Sequence, residues 1–220
     1  MEINLMSEYP RSQRPVEERG EVITEEHRSR AREFGASFFD GDRLEGYGGY
    51  SYDPKYWTRT VKLMSDYYGI NHNSKILDVG CGKGFMLHDF RLLHPGIKVT
   101  GIDISRYAVQ NAMKGIGDRL WIGSAADLPY STSSFDLVIS INTIHNLPLE
   151  ECKEAIREIE RVSRGNSFIM VDAWRTEEGR RNLGMWNLTA QTYMHTDDWT
   201  QLLHECGYTG DWYYFMIGDE

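Results

Sequence analysis

The chain has 220 residues, of which 26% are charged and 40% hydrophobic, enough for one domain with a complete core and typical of soluble globular proteins. A formal net charge of −9 argues against a nucleic-acid backbone as the main partner, and no apolar run approaches the roughly 18 residues of a membrane span. Three widely spaced cysteines, Cys81, Cys152 and Cys206, argue against a disulfide framework and fit a reducing compartment, so the cytoplasm is the expected location. A homodimer is compatible with this composition.

Residues 1–20 are polar and carry no apolar period, which predicts a mobile arm. From Thr24 a capping residue, early acids and later arginines predict a helix. Residues 38–57 then combine tyrosines with glycines. Glycine frees the backbone and tyrosine offers a flat face with a polar tip, so residues 21–58 are read as a helix followed by a lid. Tyr47, Tyr50 and Tyr52 are its candidate substrate contacts. Trp57 to Tyr68 is predicted as a helix, with Trp57, Val61, Met64 and Tyr68 on one stripe.

The central stretch is Lys75-Ile76-Leu77-Asp78-Val79-Gly80-Cys81-Gly82-Lys83-Gly84, followed at once by the helical pattern of Phe85, Met86, Leu87 and Phe90. Strand, glycine turn and helix in that order describe the first βα unit of a nucleotide-binding sheet. Further strands are predicted at Lys98 to Ile102, Arg119 to Ile122, Phe135 to Ile141 and Ser167 to Ala173. Ser105 caps a helix reaching about Lys114. Glu150 to Val162 forms an amphipathic helix with Cys152, Ala155, Ile156, Ile159 and Val162 inward. After the fifth strand comes a polar insert with Trp174, Trp186 and Tyr193. A last helix begins at Thr196, and Asp211 to Ile217 leaves room for one strand.

Three more segments stand in register with the glycine turn: Gly101-Ile102-Asp103-Ile104-Ser105, Ile122 to Pro129, and Phe135 to Asn146. With Asp78 and the glycine turn, they resemble the class I S-adenosylmethionine (SAM)-dependent methyltransferases over roughly residues 55–215. The resemblance implies a Rossmann-like α/β fold with a mostly parallel sheet of six to seven strands and helices on both faces. Residues 59–220 become the SAM-binding domain, and the insert at 175–195 its roof. Asp78, Gly80, Cys81 and Gly82 are expected at the methionine portion, Asp103 and Ile104 at the ribose, and Ser124 and Ala125 along the adenine. Ser124 stands where the family usually carries aspartate. The resemblance adds Asn142, Trp57 and Arg59 to the cofactor contacts, Arg59 for the carboxylate.

A NAD-dependent oxidoreductase would share the glycine turn and Asp103. Its fingerprint, however, leaves two residues between the second and third glycines, and an acid at position 78 would repel a pyrophosphate. A non-catalytic SAM-binding protein is the other alternative. The expected reaction is methyl transfer to an oxygen or nitrogen of a small molecule, yielding S-adenosylhomocysteine. No nucleic acid, membrane or metal is expected. His145, just beyond the fourth strand, is the candidate general base, with a structural role as its competitor. Trp186 and His195, in the roof, are candidate substrate contacts.

Overall fold

A computed structural model describes residues 1–10 and 15–218 of the chain. Residues 11–14 of the expected arm lie outside the described residues. Among those described, seven strands form one sheet: β1 (Lys75–Val79), β2 (Lys98–Asp103), β3 (Leu120–Ile122), β4 (Leu137–Ile141), β5 (Ser167–Trp174), β6 (Met194–His195) and β7 (Asp211–Phe215). The order runs β3-β2-β1-β4-β5. β6 pairs with the last two residues of β5, and β7 with Phe168 to Asp172. Every pairing is parallel.

The helices are α1 (Val16–Val22), α2 (Glu25–Ala31), α3 (Ala36–Asp40), α4 (Pro54–Tyr68), α5 (Phe85–Leu93), α6 (Arg106–Gln110), α7 (Leu149–Val162), α8 (Glu177–Trp186) and α9 (Thr196–Glu205). Parallel neighbours need long crossovers, and those that follow β1, such as α5 and α7, run within them. α7 buries the predicted stripe completely, from Cys152 to Val162, against Val138, Ile169 and Val171. The opposite face of the sheet is covered by Val61 and Met64 of α4 and by Met86, Leu87 and Phe90 of α5. The order strand–helix–strand therefore places the C-terminal ends of β1, β2, β4 and β5 along one rim, where ligands of open α/β sheets bind.

The C-terminal third differs in detail from its sequence pattern. The insert contains a helix, α8, capped by Thr176, whose hydroxyl accepts from Gly179 N–H. α9 stops at Gly207, whose φ of +73° permits the closing bonds of Gly207 N–H to His204 O and Tyr208 N–H to Leu203 O. The chain then returns as β7.

The N-terminal residues depart from the mobile arm expected of them. Glu2 bridges Trp212 in parallel, Ile3 N–H donates to Trp212 O at 2.8 Å, and Trp212 N–H donates to Met1 O at 3.0 Å. Leu5 and Met6 are buried in the same cluster as Val61, Met64 and Phe168. The physical reason is the edge of β7. A bare strand edge leaves donors and acceptors unpaired beside an apolar face, and this segment covers both. Val16–Val22, which begins inside the expected arm and ends beyond it, forms α1 against α8.

Candidate active site

The glycine turn leaves β1 at Gly80, whose φ is +83°. A Cβ there would come within 2.0 Å of Thr143 Oγ1, so the turn is glycine because the loop after β4 packs directly on it. Gly80 and Cys81 N–H both point to Ile102 O on β2, which ties the turn to the neighbouring strand. Cys81 itself is buried, with its sulfur against Gly101, so its side chain packs the turn from below. At Gly82 (φ +53°) the nearest neighbour of a Cβ is the ring of Tyr50, at 3.2 Å.

Two carboxylates flank this turn. Asp103, at the tip of β2, accepts from Gly82 N–H at 2.7 Å through one oxygen and from Ser105 N–H at 2.8 Å through the other. It therefore fixes the turn while keeping lone pairs for a ribose diol. Asp78 is 4% exposed, and among the described residues no donor reaches its carboxylate. Burial first, and then the charge of Asp103, push its carboxyl up to about 8. A buried acid raised by a second acid is a place that favours an incoming cation, which fits the positively charged SAM.

Residues 38–52 lie over the turn. The Tyr47 and Tyr50 rings are 4.4 Å apart, and Tyr50 continues onto Phe85 at 4.9 Å. Lys83 of the glycine turn donates to both carboxylate oxygens of Asp40 at 2.8 and 2.6 Å and to Tyr50 O at 3.0 Å. Tyr107 OH and Tyr50 N–H complete the ring of donors around Asp40. At the far end, Tyr52 OH donates to Asp89 at 2.5 Å, and Thr58 to its other oxygen at 2.9 Å. The aromatic pattern had pointed to the lid. The polar anchors Asp40, Lys83 and Asp89 had not been singled out, because an acid forty residues from its lysine leaves no local signal.

At the ends of β4 and β5, Asn142 takes a left-handed turn (φ +52°) and donates its N–H to Met170 O. His145 is 3% exposed, and its Nδ1 accepts from Asp172 N–H at 3.0 Å. In that tautomer Nε2 carries the proton, and it stands 3.8 Å from Asp172 Oδ2. Burial lowers the imidazole pKa, with Asp172 working against it, so the ring is neutral and its one lone pair is already used. Asp172 is bonded in turn by the Asn187 amide.

Other expected contacts are divided. Gly123 N–H bonds Asp103 O, which places Ser124 and Ala125 beside the ribose acid, although the Ser124 hydroxyl accepts from Ala126 N–H within its own turn. Ile104 is exposed at the rim. Trp57 packs on Tyr9 at 5.1 Å and on the core, and Arg59 is exposed beside Glu8 at 3.9 Å. α4 begins at Pro54, and Thr58 of its second turn donates to Asp89. His195 caps α9 by accepting from Asp197 N–H. Trp186 lies under two arginines, Arg19 and Arg43, which the sequence pattern did not single out.

Residues 70–214, about two thirds of the chain, match the family model described as "Methyltransferase domain". The chain is 30% identical over 137 residues to the malonyl-(acyl-carrier protein) O-methyltransferase of Legionella pneumophila, covering 60% of this chain and 47% of that protein. It is 31% identical over 144 residues to the tRNA (carboxymethyluridine(34)-5-O)-methyltransferase of Arabidopsis thaliana, covering 65% of this chain and 33% of that one. The chain thus spans half or less of the length of these two relatives. Among solved structures, the YcgJ protein of Bacillus subtilis superposes with a TM-score of 0.55 at 19% identity, over 66% of each chain. The 4+2 cyclase SpnF superposes with a TM-score of 0.56 at 23% identity, over 68% of this chain and 56% of that one. These two establish the fold alone. The family match, the parallel sheet and the acid-flanked glycine turn agree: the chain belongs to the methyltransferase domain family, of the class I SAM-dependent type.

Proposed function

We propose that the acceptor is a small molecule, methylated at an oxygen or nitrogen, that binds between the ends of β4 and β5 and the tyrosine segment. The observation that carries this reading is the cover itself. Asp40 and Asp89 pin residues 38–52 across the glycine turn at two separate points, which suits a compact acceptor more than a folded macromolecule. The net charge of −9 works in the same direction.

SAM supplies an already activated methyl group on its sulfonium, so the residues mainly align the two partners, and orientation alone contributes up to about 7–11 kcal/mol in ideal cases. Asp103 would hold the ribose, the backbone of Gly80 to Gly82 the methionine portion, and Asp78 the positive charge. Tyr47 and Tyr50 would exclude water from the reacting atoms. His145 is read as a positioning residue, because its lone pair holds Asp172 N–H and Asp172 borders the acceptor side. The three cysteines are buried thiols, which supports a reducing compartment, with the cytoplasm as the proposed location.

The test is transfer of labelled methyl from SAM to three fractions of a cell extract: metabolites below about 1 kDa, tRNA and protein. Label in the metabolite fraction is expected. Label confined to tRNA would replace this reading with that of the Arabidopsis relative, and label confined to protein would equally overturn it.

A further inference from the structure

Arg19 is a cation inside the protein. It is 8% exposed, donates from Nη1 to Arg43 O at 2.9 Å and from Nε to Trp186 O at 3.4 Å, and its guanidinium carbon lies 4.9 Å from the centre of the Trp186 ring. The Arg43 guanidinium approaches the same ring at 5.7 Å and donates to Gly46 O at 2.6 Å. Among the described residues, every hydrogen bond of the pair ends on a neutral carbonyl, and neither guanidinium is in an ion pair. Burial and then the charge of Arg43 lower the pKa of Arg19 to about 10. Two cations sharing one indole are costly unless an anion joins them.

Their position ties them to the acceptor side of the site. Trp186 ends α8, and the next residue, Asn187, holds the Asp172 carboxylate, whose backbone N–H rests on His145. Arg43 also lies four residues before Tyr47, within the segment that covers the glycine turn.

Resting on the small-molecule reading above, we propose that Arg19 and Arg43, flanking Trp186, bind a carboxylate of the acceptor. The acceptor class is then a small carboxylic acid, aromatic or with an apolar body that packs on the indole. Planar guanidinium groups match the two oxygens of a carboxylate. A singly charged anion fits better than a phosphate dianion, because Asp172 lies nearby. The carboxylate serves as a handle, since guanidinium bonds lower its nucleophilicity, and the methyl group goes to another atom of the same molecule.

Benzoate and benzamide, equal in shape and different in charge, are the probes, titrated calorimetrically into the full chain saturated with S-adenosylhomocysteine. Benzoate is expected to bind at least about tenfold more tightly than benzamide, the usual margin for a charge-assisted pair. Arg43→Gln should erase the difference and Arg43→Lys should keep part of it, with melting temperatures near that of the parent, because Arg43 is exposed. Equal affinity of the two probes, no benzoate binding up to about 10 mM, or a benzoate preference unchanged in a folded Arg43→Gln would overturn the proposal. So would inorganic phosphate binding as tightly as benzoate. S-adenosylhomocysteine binding in the same experiment, and label in the metabolite fraction, report on the methyltransferase and small-molecule readings separately.

Discussion

Asp78 and Asp103 stand at adjacent strand tips with different duties. Asp103 spends one bond from each oxygen on backbone N–H groups, so it is as much a clamp on the glycine turn as a ribose contact. Asp78 has no such partner among the described residues, and its carboxyl is raised to about 8 by burial and then by Asp103. Unfolded, the same carboxyl titrates near about 4. Between those values the folded chain keeps a proton that the unfolded chain has released, so stability falls as pH rises through the window of about 4 to 8. A cationic ligand prefers the ionised form. SAM affinity, read from the melting-temperature shift it produces, should therefore rise from pH 6 to 8.5, and Asp78→Asn should flatten that rise. Identical slopes in the two proteins would mean that Asp78 does not face the cofactor.

His145 makes a second residue-scale prediction. His145→Ala removes the acceptor that Nδ1 offers to Asp172 N–H, at a cost of about 1–3 kcal/mol in urea unfolding. His145→Asn keeps an acceptor close to Nδ1 and should recover most of that stability and a kcat within about tenfold of the parent. A loss of about a hundredfold in both variants, with a rate that tracks one ionisation, would restore His145 as the base.

At the scale of elements, the tyrosine segment behaves as a strap with two buckles. Burial opposes ionisation of Asp40, but Lys83, Tyr107 and Tyr50 N–H together hold its carboxyl below the ordinary value. That anchor joins α3 to the glycine turn and to α6, so opening the strap means breaking an ion pair whose lysine is only 10% exposed. Asp40→Asn removes the charge and keeps the shape. Chymotrypsin cleavage after Tyr47 and Tyr50 should then become about tenfold faster or more, and S-adenosylhomocysteine should slow it in both proteins. Equal cleavage of variant and parent would show that the aromatic stack alone holds the strap. Gly48 and Gly49, both at positive φ, give the segment its turn.

For the whole molecule, the open question of any sheet is its edges. Here β7 lies parallel to β5 and is covered by residues Met1 to Ile3, with Leu5 and Met6 inserted into the core behind it. Leu5 is 2% exposed, so Leu5→Ala should cost about 2–4 kcal/mol in urea unfolding. It should also raise concentration-dependent light scattering, because a loosened cover bares a strand edge. An unchanged midpoint would make the segment a passive passenger.

The sequence by itself determined the elements whose cause is local. β1, β2, β4 and β5 are apolar runs bounded by turn residues, and the face of α7 follows from its 3.6-residue period, so their places were legible. The glycine turn and Asp103 were legible for the same reason, since both lie within one βα unit and its successor. Only the tertiary structure decided which partner each distant charge would meet: Asp40 with Lys83, Tyr52 with Asp89, Arg19 with Trp186, and Glu2 beside Trp212. It also set Trp57 against Tyr9, Arg59 beside Glu8, and His195, a candidate substrate contact, at the N-terminus of α9 as its cap. Local pattern fixes which face of an element is apolar, because every residue of that face lies within a few turns of the others. A pairing across tens of residues depends on how the whole sheet closes, and no short window of sequence contains that information.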